Sequence, residues 1–192
     1  MAELRIITST TRPGRKSPVI ASWIAEKARG YVPFNVEILD LAKIDLPMMN
    51  EPNHPRLRKY QHVHTQKWSQ MVDTSDAFIF IIAEYNHGFT APLKNAIDYL
   101  SQEWAYKPVG LVSYGGVAGG TRSVHMLKEI LTALKMVPLS EGVSIPFIQN
   151  FINEDDEFVA NEIIDQSADV MLTELLRWTD TLQSMRENEM VE

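Results

Sequence analysis

The chain has 192 residues, 45% hydrophobic and 22% charged, the balance of a packed globule and a length suited to one domain rather than two. Eighteen basic against twenty-five acidic residues leave a formal charge of −7, a sign that disfavours nucleic-acid phosphates and anionic membranes as partners. With no cysteine, disulfides, thiolate metal sites and cysteine nucleophiles are excluded.

The first ten residues carry Glu3 and Arg5 and lack the apolar stretch of a secretory leader, and no segment approaches roughly 18 apolar residues. The expectation is a soluble, cytoplasmic protein with no membrane insertion. Leu4 to Ile7 reads as a buried strand ending near Thr8, at the polar run Ser9-Thr10-Thr11 and Arg12-Pro13-Gly14. Ser17 before Pro18 pairs an N-cap residue with a first-turn proline. Val19, Ile20, Trp23, Ile24 and Ala28 then repeat at helical spacing, predicting an amphipathic helix to about Arg29. A second strand is predicted over Asn35 to Leu39, after which Pro47, Pro52 and Pro55 break regular structure, and helix resumes from near Arg56 to about Val72.

Ala77 to Ala83 is apolar on both parities, which predicts a strand covered on both faces at the centre of a parallel sheet. After the polar segment Glu84 to Thr90, Pro92 suits a first helical turn, and Leu93, Ala96, Ile97, Leu100 and Trp104 follow at helical spacing. A fourth strand is predicted over Val109 to Ser113. The glycine-rich loop Gly115 to Gly120 follows, then a helix from about Thr121 to Leu134 and a fifth strand within Met136 to Ile145. The last helix is predicted from about Val159 to Met185, with Asp155-Asp156-Glu157 at its positive N-terminus and a fraying tail from Arg186. Strands alternating with helices in this rhythm make residues 1–192 a single three-layer α/β unit with a five-stranded parallel sheet of order 2-1-3-4-5.

In such a sheet ligands bind beyond the carboxyl ends of the strands, where the order reverses. Three loops open there. Ser9 to Ser17 offers hydroxyls at Ser9, Thr10, Thr11 and Ser17, cations at Arg12 and Arg15, and the N–H groups of a helix start, which together can cradle a phosphate. Neither G-x-G-x-x-G nor G-x-x-x-x-G-K-[ST] occurs, which disfavours a dinucleotide site or P-loop. Glu84-Tyr85-Asn86-His87-Gly88 sets an aromatic ring, an amide and an imidazole side by side, suited to a flat heteroaromatic ligand. Gly115 to Gly120 allows a close backbone approach. Each loop taken alone also reads as an ordinary turn. His62 and His64 lie two apart on the predicted helix and should face different ways, so no metal site is expected. Trp68, Trp104 and Trp178, and the Met and Leu positions of the last helix, are candidates for a partner surface, with core packing the expectation for most of them.

Together, in this order and spacing, the three loops resemble those of the NAD(P)H-dependent FMN reductases, a family of flavodoxin-like proteins. The resemblance covers about Leu4 to Ile145. It rests on Ser9-Thr10-Thr11-Arg12-Pro13-Gly14-Arg15 where the family has a G-S-T-R-like loop, on Ala83-Glu84-Tyr85-Asn86-His87-Gly88 where it has P-E-Y-N, on Pro92-Leu93-Lys94-Asn95-Ala96-Ile97-Asp98, and on Ser113-Tyr114-Gly115-Gly116. Ser9 stands where the family often has Gly, and Ala83 where it often has Pro. The resemblance implies an FMN phosphate on Ser9, Thr10, Arg12, Ser17 and the backbone near Val19, an isoalloxazine on Glu84, Tyr85, Asn86 and His87, and closure by Ser113, Tyr114, Gly115 and Gly116. It also implies NADPH or NADH as hydride donor, a small-molecule acceptor such as a quinone, azo compound or free flavin, and a homodimer or homotetramer with the flavin near a subunit interface. No side-chain acid or base is required, since the flavin carries the hydride. The alternative is a flavodoxin-like electron carrier or regulator without turnover of its own. A third reading is a binding protein without flavin. Arg15, Lys16 and Arg122 are candidates to meet a 2′-phosphate.

Overall fold

The computed structural model describes residues 1–30 and 34–189. In chain order it comprises β1 (Ala2–Thr8), α1 (Ser17–Arg29), β2 (Phe34–Asp40), α2 (Leu41–Ile44), α3 (Val63–Asp73) and β3 (Ala77–Ala83). There follow α4 (Ala91–Asp98), β4 (Pro108–Tyr114), α5 (Thr121–Ala133), β5 (Val137–Ile145) and α6 (Glu162–Glu189), with single 3-10 turns at Pro55–Leu57, Gln102–Trp104 and Ile148–Phe151. The strands form one parallel sheet in the order β2-β1-β3-β4-β5, as the alternation predicts.

The parity of β3 explains the layering. Ala77, Ile79, Ile81 and Ala83 join Ile20, Ile24 and Ala28 of α1 and Ala168, Met171, Leu172 and Leu175 of α6 in one core. Phe78, Phe80 and Ile82 point the other way, into a second core with Trp68 and Val72 of α3, Leu93, Ala96 and Ile97 of α4 and Leu127 and Leu131 of α5. Every β3 side chain is buried, and each large one contributes about 1.5–3 kcal/mol from leaving water. Trp104 packs on Phe78 and Phe80 at centroid distances of 5.2 and 6.1 Å, and its indole N–H donates to Ile97 O. Trp68 likewise donates to Ala96 O, whereas Trp178 on α6 is exposed.

Several boundaries differ from expectation for tertiary reasons. The helix expected from Arg56 starts at Val63; the Glu51 carboxylate accepts the N–H groups of Gln61 and His62 and holds the extended segment that leads into α3. His62 is thus the N-cap and not a helical residue, and its ring stacks on that of His64 with centroids 5.1 Å apart. Both imidazoles bond Asn50, and among the described residues no group of three or more metal-binding side chains gathers. The α4 helix ends at Asp98, so Leu100 and Trp104 lie beyond it, Trp104 in a 3-10 turn. Ser17 does not cap α1; Lys16 holds the N-cap position, without a side-chain capping bond.

The last helix begins at Glu162, not Val159, with the Asn161 side chain accepting the Ile164 N–H. Asp155-Asp156-Glu157 is therefore a separate turn, closed by Asn153 Oδ1 accepting from the Asp155 and Glu157 N–H groups. Arg186 does not fray: it lies in α6 and donates to Asp76 and to Tyr106 O. Residues 190–192 of the expected tail lie outside those described.

Candidate functional site

Register puts the three loops on one edge. Thr8 pairs with Ile81, and Ala83 with Tyr114, so β1, β3 and β4 release their chains side by side. The loops are stitched together beyond the strands: Ser9 N–H donates to Ile81 O, Glu84 N–H to Tyr114 O, and Gly115 N–H to Ile145 O, all near 3.1–3.2 Å. Thr90 adds a hydroxyl bond to Ser9 O.

In the first loop Thr10 and Ser17 bond each other through their hydroxyls, and both are buried. Tyr114, 6% exposed, reaches the same hydroxyls from β4; burial pushes its phenol up, and Thr10 and Ser17 draw it partly back. The Ser9 hydroxyl is buried with no partner. At the start of α1 the first backbone bond is Ile20 N–H to Lys16 O, and Pro18 has no N–H. Among the described residues the N–H groups of Ser17 and Val19 are bonded to nothing, which leaves a positive helix end without a cap.

The cations of this edge divide sharply. Arg15 grips Asp40 with both guanidinium nitrogens, at 2.6 and 2.8 Å, and donates to Thr10 O at 2.9 Å. Burial works against the Asp40 carboxylate, but Arg15, the Thr8 hydroxyl and the Ala42 N–H outweigh it and hold its pKa below the usual range. Lys16 pairs with Asp156, and Arg122 with Glu84. All three candidates for a 2′-phosphate are thus engaged by carboxylates. Arg12 is exposed, makes no ion pair among the described residues, and rests 5.6 Å over the Tyr85 ring.

Tyr85 and Gly88 exchange both backbone bonds, at 2.8 and 3.0 Å, across a two-residue turn. Asn86 and His87 both take positive φ, 50° and 69°, as a primed hairpin turn requires, at about 1–3 kcal/mol of strain each. Their N–H groups are left outside the ladder, and Tyr85, Asn86 and His87 are all exposed. The Glu84 carboxylate instead turns toward α5, accepting from the N–H and guanidinium of Arg122 at 3.2 and 2.6 Å. Ser113 is buried and donates to Gly119 O. Glu84 and Ser113 therefore brace the loops rather than line an opening.

The glycine loop needs its glycines unequally. Gly120 has φ +85°, and a Cβ there would lie 2.7 Å from Ser113 Cβ and 2.8 Å from Tyr114 N, so a side chain is excluded. A Cβ at Gly116 would meet nothing within 4 Å, so this residue borders open space.

The fold thus gathers every expected site residue at one edge. Arg12, Tyr85, Asn86, His87 and Gly116 are exposed, Gly115 and the Val19 backbone are half-buried, and Ser9, Thr10, Ser17, Ser113 and Tyr114 lie beneath. Two further residues belong to this edge without having been singled out in the sequence. Asp40 is the last residue of an ordinary strand, and only the pairing of β1 with β2 brings it opposite Thr8 and within reach of Arg15. Phe147 follows β5 and bonds the backbone of Gly116.

Residues 3–150 match the family model described as NADPH-dependent FMN reductase. An NAD(P)H-dependent FMN reductase of Schizosaccharomyces pombe is 34% identical over 163 residues, 81% of each chain. An NAD(P)H:quinone oxidoreductase of Solanum tuberosum is 41% identical over 68 residues, 34% of this chain and 35% of that one. Among solved structures, the flavoenzyme NAD(P)H:(acceptor) oxidoreductase FerB of Paracoccus denitrificans superposes with a TM-score of 0.67 at 20% identity, covering 96% of this chain and 98% of that one. A model matched over most of the chain, on a sheet whose order and loop edge carry the residues just described, makes this protein a member of the NADPH-dependent FMN reductase family.

Proposed function

We propose that the chain is an FMN-dependent oxidoreductase that takes hydride from NADH or NADPH and reduces a small-molecule acceptor such as a quinone, azo compound or free flavin. The observation that carries this reading is the pairing, at the sheet's switch point, of an uncapped α1 N-terminus with the unpaired guanidinium of Arg12. The residues present suit FMN: the orphaned Ser9 hydroxyl, the Ser17 and Val19 N–H groups and Arg12 are donors for a phosphomonoester, and Thr10 and Ser17 can redirect their shared bond to it. Tyr85, the outward N–H groups of Asn86 and His87, and the open backbone of Gly115 and Gly116 offer a flat bed with hydrogen-bond donors for the ring system.

When bound, FMN would supply the two-electron hydride chemistry that links NAD(P)H to a quinone or similar acceptor, the remaining proton of the hydroquinone coming from solvent. The protein's part is positional. Glu84 and Arg122 tie the Tyr85 turn to the start of α5, directly after the glycine loop, so donors from two strands stay in register. Arg15, Lys16 and Arg122, the three candidates for a 2′-phosphate, are each held by a carboxylate, and the donor is read as NADH or NADPH. Exposed Ile163, Val170 and Trp178 along α6 support a homodimer or homotetramer, and among the described residues no helix is long and apolar enough to cross a membrane. The acceptor is read as small, with no nucleic-acid partner, and the protein as cytoplasmic.

The test is the visible spectrum of the protein loaded with FMN and freed of excess. Flavin bands that persist, bleach with NADPH and return with a quinone are expected. Bands that NADPH leaves unbleached point to an electron carrier, and absence of any retained or titratable FMN refutes the reading.

A further inference from the structure

Phe147 follows the carboxyl end of β5 with φ of 50°, and it is 53% exposed. The left-handed region strains any residue with a side chain, and an aromatic one is rarely found there. Two bonds hold it: Phe147 N–H donates to Gly116 O at 3.0 Å, and Ile148 N–H to Gly115 O at 3.2 Å. The residue is therefore clamped to the two glycines that border the open edge of the site.

Core packing does not explain the ring. Ile148, 8% exposed, fills the core beside β5, whereas Phe147 belongs to neither core cluster and makes no aromatic contact among the described residues. Starting the 3-10 turn Ile148–Phe151 demands only the backbone conformation, which Gly or Asn would supply without strain. Other exposed apolar side chains lie on the same edge. Val117, 72% exposed, follows Gly116, and the half-exposed Met126 lies against Gly88 of the Tyr85 turn. A strained, over-determined aromatic residue beside a ligand edge is the pattern of a binding wall.

We infer that Phe147 is a specificity-determining residue that stacks on planar apolar electron acceptors, quinones in class, and selects them over compact hydrophilic oxidants. The inference rests on the flavin reading above. It also places the acceptor's wall on the loop after β5, outside the three loops that resemble the family's motifs.

Phe147→Gly removes the ring and keeps the backbone relaxed at positive φ, so folding is preserved or improved. In the FMN-loaded variant the KM for a methylated naphthoquinone is expected to rise about tenfold with kcat little changed. Turnover with hexacyanoferrate(III) and the FMN dissociation constant should stay within a factor of two or so. Titration calorimetry with naphthalene sulfonate, planar but not reducible, should show the same loss of affinity without turnover. Unchanged quinone KM with FMN retained overturns this inference alone. A parallel rise in the FMN dissociation constant assigns the ring to the flavin bed, and a fall in the mass in solution assigns it to a subunit contact; either overturns it. Failure of the unsubstituted protein to bind FMN overturns the flavin reading and this one with it.

Discussion

Replacing Asp40 by Ala should cost both stability and flavin affinity. The carboxylate accepts from Arg15 at 2.6 and 2.8 Å, from the Thr8 hydroxyl at 2.8 Å and from Ala42 N–H at 3.1 Å. The pair is mostly enclosed, with side chains 17% and 10% exposed. Breaking a buried pair by removing one partner costs about 3–5 kcal/mol, and Arg15 belongs at the low end because it keeps Thr10 O and some water. The buried Thr8 hydroxyl and the α2 N-cap lose their acceptor as well, so a total of about 3–4 kcal/mol is expected. Urea unfolding at neutral pH measures it. Arg15 also pins the Thr10 carbonyl, so FMN affinity, read from quenching of flavin fluorescence, should fall about tenfold.

The pH dependence of Asp40 has a definite sign. Its folded pKa lies below the unfolded value of about 3.9, so its contribution is present above that value and is lost as pH falls through the folded one. The stability gap between the two proteins should narrow between about pH 5 and pH 3. A loss under about 1 kcal/mol at neutral pH, or a gap that does not change on acidification, would refute this account.

Arg12→Ala removes a charge-assisted phosphate contact worth about 1.5–3 kcal/mol, so the FMN dissociation constant should rise about 10- to 150-fold in a fluorescence titration while the melting temperature holds. Gly120→Ala forces a Cβ against Ser113 and Tyr114 at positive φ and should destabilise by about 3 kcal/mol, whereas Gly116→Ala, facing open space, should cost under about 1; thermal denaturation of the pair checks the contrast. Lys107 donates to Val72 O and Asp73 O at the end of α3, and burial pushes its pKa down to about 8. The unfolded chain holds that proton to higher pH, so the stabilising contribution rises between about pH 8 and pH 10.5, by up to about 3 kcal/mol. Urea titrations of the unsubstituted protein and Lys107→Met across that window should diverge; parallel curves would disprove the assignment.

Local chemistry accounts for much of what could be read without coordinates. A seven-residue, β-branched apolar run such as Ala77 to Ala83 reads as a strand covered on both faces, and its two parities do feed the two cores. Alternation of such runs with amphipathic segments implies parallel crossovers, hence the sheet order and the edge on which the Ser9, Glu84 and Gly115 loops meet. The motifs in those loops were legible because backbone freedom, hydroxyls and guanidinium groups are local properties of residue type.

What depends on partners distant in the chain was not legible. Glu51, from a loop ten residues back, holds the segment that leads into α3, Arg186 is kept from fraying by Asp76 and Tyr106 O, and His62 and His64 stack with His62 outside the helix. Of the four cations at the site, Arg12 alone escapes a carboxylate among the described residues, since Asp40, Asp156 and Glu84 reach Arg15, Lys16 and Arg122 through strand pairing and loop packing. Tyr114 turns its hydroxyl into the first loop, and Phe147 is clamped to Gly116 by a bond across strands. The sequence by itself determined the layers, the strand order and the three loops, because periodicity and residue type act over a few neighbours. Tertiary structure decided which side chains brace the site and which face a ligand, because hydrogen bonds and ion pairs are settled by whatever the fold brings within about 3 Å.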